Sequence, residues 1–226
     1  MNDFKLYFGL GTDHILTWEA MDHILFVAAL CLRYGWKDWR KVAILVTAFT
    51  IGHSITLALS ALNYVRVPTK WIEFLIPLTI AVTAINNILQ KQSEQQKKLP
   101  LIYFFALFFG LIHGLAYASS FLDLEGKEGL VPHLFAFNLG IELAQLIVVT
   151  AVLFASFILV ELLKISRLGW IRVASLLILA VSLNMAFHRF PHKKNNNNEK
   201  TTFVALGNYL CMQRTQRAKH SEQPGF

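Results

Sequence analysis

Cysteine, charge and recognisable catalytic signatures are all scarce in this chain, and each scarcity removes a class of protein. The two cysteines, Cys31 and Cys211, lie far apart and in no CxxC pattern. That leaves neither a disulfide framework nor a thiolate metal motif. Charged residues are only 15% of the chain, too few for an ordinary soluble domain, in which they make up about 25%. There is no GxxxxGK[ST] element, so nothing in the chain would bind a nucleotide to drive work. The "GHS" at residues 52–54 is not a nucleophile motif, and no GxSG occurs. The first residues, "MNDFKLYFGLG", lack a basic start, a long apolar core and a small-residue cleavage site, so no cleavable signal peptide is expected. No internal repeat stands out.

What is present is apolar. Hydrophobic residues make up 55% of the chain, with 18 Phe and five Trp. A bilayer core of about 30 Å takes about 20 apolar residues as helix, and six segments qualify: roughly 14–33, 42–62, 71–90, 100–121, 135–163 and 168–187. The expected fold is all-α, a polytopic transmembrane bundle of about six spans occupying residues 1–188. Pro77 lies inside the third segment and should kink it. From residue 189 the composition turns polar and basic, with "HKKNNNNEK" at its start. Residues 189–226 are therefore expected to form a disordered tail. Short polar links join the spans. The first, third and fifth carry ten Lys/Arg against four on the opposite side before the tail. By the positive-inside rule both termini should lie outside the cytoplasm, in an inner-membrane protein. Arg189, Lys193 and Lys194, directly after the last span, argue the other way. The lipid bilayer is the expected partner; nucleic acid is not.

Imidazoles and carboxylates inside such segments are costly unless paired, and so mark function. His23 lies nine residues into the first segment, about 13 Å at 1.5 Å per residue. His53 lies nine residues from the end of the second, His113 about eight from the end of the fourth, and Glu142 about seven from the start of the fifth. If the spans alternate in direction, these four groups share one depth. Glu19, Asp22 and His23 also cluster on one helical face, and Asn138, Glu142 and Gln145 on another. His14 is nine residues before His23, on the opposite side of a continuous helix, and fits better at the mouth of the bundle or ahead of the helix start.

A single intramembrane histidine is as often a packing residue as a functional one, and Thr/Ser stripes mostly bond their own helix. Company at one depth is what separates this set. Three imidazoles with two or three carboxylates suit a borderline divalent ion such as Ni, Co, Zn or Cu(II).

At these residues the chain resembles the HupE/UreJ family of bacterial membrane proteins, which is linked to hydrogenase and urease accessory genes and regarded as a family of nickel or cobalt permeases. The matching blocks are "HILTWEAMDHILFVAAL", "FTIGHSITLAL", "EFLIPLTIAVTAINNI", "FGLIHGLAYASSF" and "FNLGIELAQL". By that resemblance Asp22 and His23 correspond to the family's first-helix histidine–aspartate signature. His53, His113, Asn138 and Glu142 correspond to its other polar positions. His14 stands farther from the Asp22–His23 pair than in nickel-permease members, which suggests a divergent branch. The resemblance implies a permease for a divalent ion, with metalloenzyme maturation proteins as possible partners. The metal set is then His14, Glu19, Asp22, His23, His53, His113, Asn138 and Glu142.

The alternative is a membrane-embedded zinc hydrolase. Three histidines holding zinc would lower the pKa of a bound water to about 7. Asp22 or Glu142 would then be the general base.

Overall fold

A computed structural model describes residues 3–62, 64–65, 67–89, 99–124 and 130–191, except for the side chains of Glu19, Leu130 and residues 99–101 and 118–124. The described residues are helical, with no strand among them. In chain order the helices are α1 (Asp3–Leu16), α2 (Met21–Cys31), α3 (Trp39–Ala61), α4 (Thr69–Leu89), α5 (Leu99–Leu124), α6 (Leu130–Phe157) and α7 (Arg167–His188). A π turn, Ile158–Leu162, extends α6. The expected tail lies outside the described residues from His192 onward; Arg189, Phe190 and Pro191 belong to the same compact unit as the helices.

Among the described residues four elements are long and apolar enough to cross a membrane: Trp36–Ala61, Thr69–Leu89, Val131–Leu162 and Arg167–His188. The bent pair α1 and α2 counts as a fifth, and α5 is apolar over Ile102–Tyr117. This agrees with about six spans. Bulky apolar side chains such as Ile44, Ile51 and Ile55 on α3, Leu139, Leu143 and Ile147 on α6, and Val173 and Leu177 on α7 point outward, as lipid contact requires. Trp36, Trp39 and Trp71 are exposed at the starts of α3 and α4, positions that suit aromatic side chains at a membrane surface. α4 continues through Pro77, so the proline does not end the element.

The first span differs from the expected single helix over 14–33. Thr17 takes an extended backbone (ψ 156°), a short turn covers Trp18–Ala20, and α2 leaves at 71° to α1. Neither glycine nor proline stands at this break. Its consequence is steric: nine residues of unbroken helix would hold His14 and His23 about 13 Å apart on opposite faces, whereas the bend brings their rings to 4.9 Å.

Two helix pairs interlock through glycine. A Cβ on Gly52 would fall on the carbonyl of Leu107, one on Gly110 on that of Phe49, and one on Gly114 on that of His53. α3 and α5 therefore touch backbone to backbone. The pairing of α1 with α6 repeats the device, with Gly11 against Phe137 and Gly140 against Phe8. Small residues permit such close approach where hydrophobic driving force between helices is absent. The third close pair is α4 with α7, and α2 sits among α4, α6 and α7. Among the described residues Phe26, Phe49, Phe137, Ile15, Leu45, Leu57, Ile80 and Ile141 are the largest apolar side chains sealed in the core.

Candidate metal centre

The glycine contacts determine where the histidines go. Gly114 rests on the carbonyl of His53, and Gly110 approaches the backbone nitrogen of the same residue. His53 on α3 and His113 on α5 are thereby drawn into the centre, and both are fully buried. Gly11 sets α1 against α6 one turn before His14, and the break after Leu16 turns His23 back toward it.

The result is four imidazoles from four helices. The His14 ring lies 4.9 Å from that of His23 and 6.1 Å from that of His53; His23 and His53 are 6.1 Å apart. His113 stands 4.9 Å from His23, nearly perpendicular to it at 89°. One ligand atom each from His14, His23 and His53 lie within 4.8 Å of one another. Tyr117 covers His14 at 4.0 Å and stacks on Phe137. On another side Phe26 and Phe49 close against His113 at 5.3 and 5.1 Å. The cluster is thus flanked by aromatic rings.

Buried polar atoms nearly always have partners, and a missing one costs about 1–3 kcal/mol. Here Nε2 of His14, Nε2 of His23 and both ring nitrogens of His53 and of His113 have no hydrogen-bond partner among the described residues. A ring can aim only one of its two nitrogens at a shared point, and the atoms that meet are one each from His14, His23 and His53, with His113 outside that group. A divalent ion held by nitrogen would satisfy several of them at once.

Asp22 has a different position from its neighbour. Its Oδ1 accepts from the backbone nitrogen of His23 (2.8 Å) and lies 2.9 Å from Nδ1 of the same ring. A carboxylate accepts, so Nδ1 carries the hydrogen and Nε2 keeps its lone pair for the cluster. This is the arrangement in which a carboxylate orients a metal-binding histidine. The second oxygen, Oδ2, accepts from Nη1 of Arg189 at 3.0 Å.

The remaining expected residues are spread wider. Asn138 lies within side-chain hydrogen-bonding reach of His53; its Nδ2 donates to Leu134 O (2.9 Å), and its buried Oδ1 makes no bond of good geometry. Glu142, one turn further along α6, accepts a hydrogen bond from Thr47 Oγ1 at 2.7 Å. Thr47 is six residues from His53, about 9 Å along the helix. Glu142 is not in the three-histidine group. Beyond it, Thr50 Oγ1 donates to Gln145 Oε1 at 2.9 Å. Glu19 falls in the turn between α1 and α2, and its side chain lies outside the described residues.

Arg189 was not legible as a site residue, because its position after the last span reads as loop charge. The only hint was that it stood against the charge asymmetry of the other loops. Thr47 was also missed, being one of several threonines on α3.

No curated protein and no solved structure matches the chain. The HupE / UreJ protein family matches it over residues 1–189, which takes in all seven helices and the four histidines. This multi-pass membrane protein belongs to the HupE/UreJ family.

Proposed function

We propose that the chain is a permease for a divalent transition-metal ion, nickel or cobalt foremost and zinc next, bound in passage by His14, His23, His53 and His113. Family membership supports membrane metal transport as the general activity. The observation that carries the specific reading is the gathering of four imidazoles from four helices, six of whose ring nitrogens lack a hydrogen-bond partner among the described residues. Neutral imidazoles suit ions late in the first transition row, and they hold such an ion without a fixed countercharge, which favours exchange over permanent storage. Asp22 orients His23, Asn138 lines the α6 side of the cluster, and Glu142 adds negative charge to the route one turn away. Metalloenzyme maturation proteins are the partners this activity would serve.

The hydrolase alternative needs a carboxylate base beside the ion. Both candidates are engaged elsewhere: Asp22 with His23 and Arg189, Glu142 with Thr47. Nothing therefore favours it over transport.

Orientation follows the loop charges, with both termini outside the cytoplasm. Cysteine labelling at Trp39 and Thr69 tests the assignment: only Thr69 should react from outside intact cells, and the reverse pattern would invert the topology. Transport itself is tested by uptake into proteoliposomes holding the full-length protein. Ni2+ or Co2+ should enter faster than into empty vesicles, and His53→Ala should abolish the difference. Equal entry into both vesicle types would overturn the reading.

A further inference from the structure

We propose that Arg189 is a positioning residue that holds Asp22 out of the ion's ligand set, and thereby makes the site select ions that prefer nitrogen over ions that prefer oxygen. This rests on the permease reading and concerns which ions that same site admits.

The geometry of Asp22 carries the inference. The carboxylate is buried, and both its oxygens are in use: Oδ1 toward the backbone and Nδ1 of His23, Oδ2 toward the guanidinium. Arg189 is well placed to hold it. It ends α7, with its backbone nitrogen bonded to Met185 O at 3.0 Å. Its side chain is 30% exposed against 9% for that of Asp22. One side of the guanidinium thus stays accessible while Nη1 reaches inward. A guanidinium fork also has the planar geometry that carboxylates match, which an ammonium lacks.

The chemical consequence concerns the ligand atoms. A carboxylate free to turn toward the cluster would add a hard, anionic oxygen donor beside the four rings. Oxygen donors serve Mg2+, Ca2+ and Mn2+ as readily as the later ions, whereas imidazole nitrogens favour Co2+, Ni2+, Cu2+ and Zn2+. With Asp22 occupied by Arg189 and His23, its charge acts only through the ring it orients, and nitrogen dominates the first coordination sphere. Among the described side chains, the other carboxylate near the centre, that of Glu142, is engaged by Thr47. The pairing at the end of α7 is therefore what keeps the centre nitrogen-rich.

The test uses full-length protein in detergent, titrated separately with Ni2+ and Mn2+; the readout is the ratio of the two affinities. Arg189→Gln should lower the preference for Ni2+ by about tenfold or more, the scale on which groups behind the ligands alter metal affinity. Most of that change should come from tighter Mn2+ binding. Adding Asp22→Asn to Arg189→Gln should bring the ratio back toward wild type, because no carboxylate remains to turn inward. Arg189→Lys should give an intermediate ratio. A purely structural role would weaken both ions together and leave the ratio unchanged. That result, or a double variant as altered as Arg189→Gln, overturns the proposal.

Should Arg189→Gln not fold, the wild-type protein decides. Its Ni2+-induced infrared difference spectrum, with Asp22→Asn to assign the band, should show no move of the Asp22 carboxylate stretch to the metal-bound range. Such a move overturns the inference. Wild-type protein that binds neither ion would overturn the permease reading as well, whereas an unchanged ratio overturns this inference alone.

Discussion

The centre of the bundle and the α3/α6 seam are both polar regions inside a membrane domain, and they resolve their polarity in opposite ways. At the seam the side chains bond one another: Thr47 donates to Glu142, and Thr50 to Gln145, where only Gln145 Nε2 is left without a partner among the described residues. At the centre four imidazoles meet and leave six nitrogens without partners. The first is how polar residues join helices; the second is what the proposed ligand set would present to an ion. Shared depth does not separate the two cases, since the residues lie within two helical turns of each other. The number of unpartnered nitrogens does: one at the seam against six at the centre.

The comparison breaks most severely if the histidines act singly. His53→Ala or His113→Ala should abolish most high-affinity ion binding, and the double variant should be scarcely worse than either, as coupled sites require. Small, additive losses in a metal titration would return both residues to packing. Next in size is the scaffold of the centre. Gly114→Ala places a methyl on the carbonyl of His53 and against Thr56 Oγ1. It should cost about 1–3 kcal/mol of stability, the range for overpacking. Thermal unfolding in detergent should show a lowered Tm, with ion binding falling alongside.

At the seam the expected effects are smaller. Glu142→Gln keeps the shape and the bond from Thr47 but removes the charge. It should leave equilibrium binding at the histidines nearly intact and slow uptake; normal uptake with normal expression would remove Glu142 from the route. Mildest of all is Thr50→Val, which deletes the bond to Gln145. That should cost about 0.5–1.5 kcal/mol, measurable as a modest drop in Tm, with no change in the ion titration. If Thr50→Val impaired binding as strongly as His53→Ala, the two regions would be one.

The sequence made the helices legible because apolar length is decided locally: about 20 lipid-compatible residues make a span whatever they pack against. Three of the four histidines were legible for a related reason, since counting residues from a span's end gives depth. His14 shows the limit. It stood in the expected metal set, but its place could not be derived: an unbroken helix would face it away from His23, and no glycine or proline announces the break at Thr17–Ala20 that turns the two rings together. Asp22 was legible as part of the cluster, but its role there depends on Arg189, a partner 167 positions away. The seam was half legible: Glu142 and Gln145 shared a face, yet nothing local could say that Thr47 and Thr50 would meet them. Long-range pairing is set by which helices neighbour each other, and that is decided by packing between segments far apart in the chain.

The central claim is that an ion in this protein is bound by imidazoles drawn from separate helices. X-ray absorption at the nickel edge, on full-length protein carrying one equivalent of Ni2+, addresses it directly. Nitrogen ligation with the outer-shell scattering of three or four imidazole rings is the result the account requires. A shell of oxygen donors with no imidazole scattering would contradict it.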